Sequence, residues 1–227
     1  MTLTSNTILK NDQPFVEKVL RNALEVVDEM IITVSCKSTD GTKQVVEQLE
    51  KEFPNKIVLS YEDVKDVKML TWIRQVQLDQ SKGDWIWFLD GDDLWNPETV
   101  KEIKKHFEDN IDAISVDPYQ LVSLEHYDQE WWNKSFTKFF KKQKGVHYEG
   151  DWPQDWIYKD DKRLYWKENI KRVPRMSQFK FYHLALLKAY SFRQEHVAYK
   201  YTNIVPTKLP EEDITWLSSQ NIKGLSL

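Results

Sequence analysis

One cysteine, six glycines and no long apolar run are what this 227-residue chain offers least of. The lone Cys36 excludes an intramolecular disulfide and a cysteine-rich zinc site. No stretch of eighteen apolar residues appears, and no signal peptide is visible, so the expectation is a soluble, cytoplasmic protein. A strong charge of either sign is also missing: the formal net charge of -4 gives no global basic field of the kind that drives non-specific nucleic-acid binding. Internal repeats and low-complexity segments are absent as well, which removes solenoids and linkers. Aromatic residues, by contrast, are plentiful. Ten Trp, ten Tyr and ten Phe are many for this length, and flat rings can do more than fill a core.

The first half alternates short apolar runs with segments of helical period, the mark of βαβ units and a mostly parallel sheet. Strands are expected at Leu3 to Leu9, Met30 to Val34, Lys56 to Ser60, Asp84 to Leu89 and Ala113 to Val116. Helices fill the gaps. The first opens at Pro14 with Val16, Val19, Leu20, Ala23 and Leu24 as its stripe, and the second follows Asp40 as cap with Val45, Val46, Leu49 and Phe53 inward. A third, from Val67 to Ser81, is expected to bury Met69, Ile73 and Val76; Asn96 and Pro97 open the fourth. Beyond Asp117 the alternation stops. The segment Trp156 to Trp166 reads as a β-hairpin, Phe179 to Tyr190 as a strand leading into a helix, and the last residues as peripheral. The whole is expected to be one α/β domain: residues 1–117 form the alternating half, 118–200 a smaller mixed half, and 201–227 a peripheral tail.

Two strand ends carry the chemistry. Asp90-Gly91-Asp92-Asp93 closes the apolar run Trp85 to Leu89, and carboxylate oxygens select hard ions such as Mn²⁺ or Mg²⁺ that keep positions open for phosphate oxygens. Clustered acids repel one another unless a counter-ion joins them. Ser35 to Thr42 follows the apolar run Met30 to Val34 in the same way, so a ligand site at the carboxyl edge of a sheet is expected. The plainer alternative is an acidic loop that caps the helix at Asn96. Asp40 has the same two readings, as a helix cap or as a ligand contact.

In these residues the first 117 positions resemble glycosyltransferase family 2, enzymes of GT-A fold with a Rossmann-like, mostly parallel central sheet and helices on both faces. Asn11-Asp12 is similar to the family's Asn-Glu turn, and Ser38-Thr39-Asp40-Gly41-Thr42 to its Ser-Thr-Asp-Gly-Thr turn. Arg74 precedes Gly83-Asp84 at the family's spacing, Leu89 to Asp93 resembles the Asp-x-Asp metal motif, and Phe181-Tyr182-His183 resembles a late Tyr-His segment. The likeness implies that Asn11, Ser35, Asp40, Arg74, Asp90 and Gly91 contact a nucleotide-diphosphate sugar, with a UDP-sugar as first expectation, and that Asp90, Asp92 and His183 hold the metal. Arg74 has a second reading as an exposed partner of Asp79, and His183 as a core histidine. Two departures bear on the base: Ser35 stands where the family has Asp, and Gln75 where it has Asn.

Transfer to a hydroxyl with inversion needs a base, and the acids flanked by Trp152 and Trp156 are the candidates: Asp151 first, then Asp155 and Glu149. Glu130 to Lys144 places Trp131, Trp132, Phe136, Phe139 and Phe140 among lysines at near-helical spacing. It reads as an amphipathic helix that either closes the core or lies on an anionic membrane or a nucleic acid. The acceptor is thus a glycan, lipid, protein or modified nucleic acid, and no obligate protein partner is evident. Rival readings are a non-catalytic sugar- or nucleotide-binding scaffold, an aspartyl phosphatase, disfavoured by Leu94 two positions after Asp92, and a sugar nucleotidyltransferase, disfavoured by the missing glycine-rich loop.

Overall fold

The alternation becomes a sheet in the computed structural model, which describes residues 1–66, 68–108, 110–129, 135–150, 156–165, 167, 171–187 and 206–220. Strands β1 (Leu3–Leu9), β2 (Glu29–Ser35), β3 (Ile57–Glu62) and β4 (Trp85–Phe88) alternate with helices α1 (Gln13–Leu24), α2 (Thr42–Glu52) and α3 (Lys68–Gln80). A short strand β5 (Asp93–Leu94), helix α4 (Pro97–Lys104) and strand β6 (Ala113–Gln120) follow. Beyond them lie β7 (His126–Asp128), β8 (Phe136–Lys141), β9 (Val146–Glu149), β10 (Trp156–Lys159), β11 (Lys162–Arg163), β12 (Arg175–His183), β13 (Pro206–Lys208) and helix α5 (Glu211–Ser219). The central sheet has the order β3-β2-β1-β4-β8-β6-β12-β5. Pairing is parallel except where β8 lies between β4 and β6 and where β5 lies on β12. So β1 to β4, β6 and β12 all end at one rim.

Strand alternation sends each face of this sheet into its own core. Trp85 and Trp87 of β4 pack with Val16, Val19 and Leu20 of α1, Val46 and Leu49 of α2, and Val100 and Ile103 of α4. Ile86 faces the other way, into a cluster with Leu78 of α3, Phe140, Tyr148, Ile157 and Leu164. That second cluster is roofed by the three-stranded sheet β11-β10-β9. The expected hairpin is β10 and β11, whose two linking residues, Asp160 and Asp161, have φ of 48° and 62°. Both are left-handed, as a two-residue type I′ loop requires.

Three expectations need correction. Helix α3 buries Ile73, Arg74, Gln77 and Leu78, while Met69 and Val76 are only half-buried. The cause lies beneath it, where Gln77 Nε2 donates to the Thr7 carbonyl at 2.8 Å and to Thr33 Oγ1 at 2.9 Å, so a polar stripe has partners and turns inward. Gly41, rather than Asp40, occupies the N-cap position of α2, although Asp40 Oδ1 still accepts from Thr42 N at 3.0 Å.

The third correction concerns 130–144. Residues Phe136–Lys141 are a strand, with Phe139 and Phe140 fully buried on opposite faces of the sheet. A gap between β4 and β6 that needs a neighbour for both overrides the local helical spacing. The described part of the segment therefore presents no basic amphipathic helix to a membrane or a nucleic acid; Trp131, Trp132 and Lys134 lie outside the described residues. Among the described residues no helix is long and apolar enough to cross a membrane.

Strand β13 pairs antiparallel with β7, and α5 tucks Leu217 into the core and stacks Trp216 on Tyr182 at 5.2 Å. Two buried carboxylates pin the far side. Asp112 is bound by Arg172, Gln143 and Lys159, and Asp117 by Arg175 and Lys180. Burial pushes both carboxyls up, but these donors outweigh it and hold both below the usual carboxylate range. Because their folded pKa values are depressed, they add stability above the unfolded value of about 3.9, and that stability is lost as pH falls through the folded values. Melting temperature should thus be flat near neutrality and drop below about pH 4. A Asp117→Asn variant, melted across the same range, should show a shallower drop.

Candidate functional site

The site starts from a chain reversal at the rim. After β4, Leu89 N still donates to the Asn6 carbonyl at 3.1 Å, and then Asp93 N closes a turn onto the Asp90 carbonyl at 3.1 Å. Gly91 sits in that turn. A Cβ there would lie 2.5 Å from Leu9 Cδ2 and 2.9 Å from Asp12 Cγ, so any larger residue would push the Leu9 or Asp12 side chain away from the acidic turn. The reversed chain becomes β5 and runs antiparallel onto β12, pairing Asp93 with His183 and Leu94 with Tyr182, while Leu184 N donates to the Asp92 carbonyl at 2.8 Å. Backbone register therefore sets the imidazole among the carboxylates.

His183 Nδ1 lies 2.8 Å from Asp93 Oδ1 and 3.8 Å from Asp92 Oδ1. An ionised carboxylate can only accept, so Nδ1 carries the proton, and Nε2 of the neutral ring carries the lone pair. Asp92, Asp93 and His183 bring ligand atoms within 4.8 Å of one another and are the group among the described residues that suits a metal ion. Burial lowers the affinity of His183 for a proton, but Asp92 and Asp93 outweigh burial and raise its pKa.

Asp90 belongs to a different set of contacts. Lys138 Nζ donates to its Oδ2 at 2.9 Å, and Arg74 Nη2 approaches its Oδ1 at 3.6 Å. The same Lys138 ammonium donates to Asp93 Oδ2. Burial pushes the Asp90 carboxyl up, yet Lys138 and Arg74 more than offset it and hold the group well below the carboxylate range. Arg74 is buried, with its guanidinium 3.7 Å above the Phe88 ring, and Asp79 is taken by Gln75 instead. The exposed Arg74–Asp79 reading therefore fails.

The second rim element is a pair of interlocked loops. Asn11, in the left-handed region at φ 58°, accepts from Thr39 N through Oδ1 at 2.8 Å, and Asp40 Oδ2 accepts from Gln13 N at 2.9 Å. Asp12 N donates to Thr42 Oγ1 at 2.8 Å. Ser35 is fully buried, and its Oγ accepts from Lys37 N at 3.2 Å. These contacts lock the ends of β1 and β2 together, so Asn11, Ser35 and Asp40 shape the rim through the backbone.

Glu149 ends β9 as an exposed residue, 3.7 Å from His147 Nε2, next to Gly150, whose carbonyl accepts from Thr71 Oγ1 at 2.6 Å. That edge lies beside α3, the helix that carries Arg74. Asp151 and Asp155 lie outside the described residues. Sequence reading missed Lys138 as a site residue. Its signal was a lysine set between Phe136, Phe139 and Phe140, since a charge inside an apolar strand is rarely buried without a partner.

The family description "Glycosyl transferase family 2" matches residues 7–164. A search of curated proteins finds no match. Among solved structures, TarS of S. aureus is 18% identical with a TM-score of 0.55, over 81% of this chain and 36% of that one. A shorter form of it, TarS 1-349, gives 19%, 0.51, 81% and 60% in the same order. What these share with the chain is the GT-A fold, a mostly parallel curled sheet with flanking helices. The chain spans about a third and three-fifths of the length of those two structures.

Proposed function

Because the chain belongs to glycosyl transferase family 2, we propose that it moves a sugar from a nucleotide-diphosphate donor to an acceptor hydroxyl, with a divalent metal at Asp92 and His183. The observation that supports this most is the convergence of Asp92, Asp93 and His183 at the rim where β1, β2 and β4 end. The donor set fits a metal. Asp93 accepts from His183 Nδ1 through one oxygen and from Lys138 through the other, which makes it the residue that orients the imidazole, while Asp92 and His183 would hold the ion. Mixed oxygen and nitrogen donors favour Mn²⁺ over Mg²⁺. Such an ion, when bound, supplies Lewis-acid neutralisation of the departing diphosphate.

The chain's own residues do the rest. Asn11, Ser35 and Asp40 hold the rim against which the nucleoside lies, and Arg74, fixed over Phe88, brings a permanent positive charge to the phosphate side. A UDP-sugar is our first donor. A carboxylate from 149–155, with Asp151 ahead of Asp155 and Glu149, takes the acceptor hydroxyl's proton as that oxygen bonds to the anomeric carbon and the diphosphate oxygen departs, inverting the centre. A cytoplasmic location is part of the same reading.

The direct test is thermal melting with a panel of nucleotide sugars in Mn²⁺ and again in chelator. Ligand that binds only the native state raises the melting temperature, by about 2.7 kcal/mol of added stability at a hundredfold excess over Kd. Stabilisation by a UDP-sugar that chelator removes is the expected result; no response to any nucleotide sugar sinks the proposal.

A further inference from the structure

The cluster holds a cation of its own. Lys138 is almost wholly buried, and its ammonium lies between Asp90 and Asp93 within hydrogen-bond reach of both. A β-bulge delivers it: β6 pairs Ile114 with Phe139 and Ser115 with Thr137, so Lys138 is the extra residue on β8 that leaves the ladder. Phe88 and Phe181 rings, 4.8 and 5.0 Å away, wall the ammonium in and keep it from swinging out to water. Asp90 therefore faces both Lys138 and Arg74, and Asp93 faces Lys138 and His183, so two fixed cations offset part of the charge of the acidic turn before any metal arrives.

A dication entering this turn meets carboxylates whose charge is partly offset already, and it must also approach a fixed ammonium. Like charges in a water-poor site repel strongly. A diphosphate changes the balance, because its oxygens complete the ion's coordination and bring the missing negative charge. We propose that Lys138 is a resident cation that makes capture of a divalent metal conditional on a nucleoside diphosphate. It pairs with both Asp90 and Asp93 in the ligand-free protein, and metal and nucleotide then bind as a cooperative pair. This rests on the reading of the cluster as the donor site. By linkage the coupling is reciprocal: whatever factor the nucleotide adds to metal affinity, the metal adds to nucleotide affinity.

The experiment is Mn²⁺ binding, followed by electron paramagnetic resonance of the free ion, for the full chain alone and with UDP or GDP as probe. Wild type should bind Mn²⁺ weakly alone and at least about tenfold more tightly with one of the two nucleotides. Lys138→Met should bind Mn²⁺ alone at least about tenfold more tightly than wild type, because it removes the ammonium from Asp90 Oδ2 and Asp93 Oδ2, and should lose most of the coupling. Lys138→Arg keeps the charge and should behave as wild type. A lysine that merely supports packing predicts the opposite, weaker Mn²⁺ binding by Lys138→Met, and that result overturns the inference. If Lys138→Met does not fold, wild type decides alone: tight Mn²⁺ binding without nucleotide overturns it. Coupling present in wild type but unchanged in folded Lys138→Met defeats this inference and leaves the donor-site reading standing. Absence of any nucleotide effect on Mn²⁺ in wild type defeats both.

Discussion

Asp92→Asn should lose transfer by on the order of 10³-fold or more while the chain melts as wild type does. The substitution keeps size and shape and removes one charge, at the carboxylate that lies half-buried beside His183. Its backbone carbonyl, which accepts from Leu184 N and ties the turn to β12, is untouched. Several kilocalories of transition-state stabilisation are expected from a cation opposite a leaving diphosphate, and each 1.36 kcal/mol is about a tenfold change in rate. The measurement is turnover of whichever nucleotide sugar stabilises the wild type in Mn²⁺, paired with a melting curve. Unchanged fold with lost transfer supports the assignment; near-normal turnover removes Asp92 from the chemistry.

The largest effect on stability is expected at Trp95. This ring follows β5 directly and is buried where it stacks on Phe181 at 4.8 Å and 9°, and meets Trp87 and Phe139 edge-on at 5.4 Å each. Its carbonyl accepts from Asn22 of α1 at 3.1 Å. Replacing it with Ala leaves a cavity where four elements meet, at a cost of about 3–5 kcal/mol. For a domain of this size that lowers the melting temperature by on the order of 10 °C. Since Trp95 also anchors the strand that carries Asp93 against β12, the variant should show weaker Mn²⁺-linked nucleotide binding even well below its melting point. Trp95→Phe, which keeps a flat ring over Phe181, should recover most of the loss. Equal melting temperatures for Trp95→Ala and wild type would show that the ring is not the keystone its contacts imply.

How far the sequence discloses this molecule depends on how local each feature is. Strands β1, β2 and β4 and helices α1, α2 and α4 are legible because each buries a stripe or a run that its own spacing defines, as with Trp85 to Phe88 or Val16, Val19 and Leu20. Asn96 is readable as a cap, and its side chain indeed accepts from Glu98 N at 3.0 Å. Residues 136–141 are different. Phe136, Phe139 and Phe140 satisfy a helical stripe as well as a strand, and what decides between them is a vacancy in a sheet built tens of residues earlier. The site divides along the same line. The acidic turn and the Tyr-His pair can be seen in one dimension, but the contacts of Lys138 cannot, because they depend on a bulge that only strand pairing creates. Arg74 was ambiguous for a related reason: its burial follows from the rotation of α3, which Gln77 fixes through two strands.

Strand β8 is inserted between β4 and β6, and β5 is held by β12, whose His183 lies ninety positions after Asp93. During synthesis at the ribosome, β1 to β3 can zip up as each βα unit emerges, since their contacts are short in range. The rim cannot be finished then. The acidic turn leaves the exit tunnel long before either the lysine or the histidine that will face it, so a nascent chain passes through a stage in which its carboxylates are bare and β4 has an open flank. Contacts this distant along the chain form late and slowly. The slowest folding event should therefore also be the one that completes the site, and a chain truncated before β12 should be an aggregation-prone fragment that lacks the histidine facing its acidic turn.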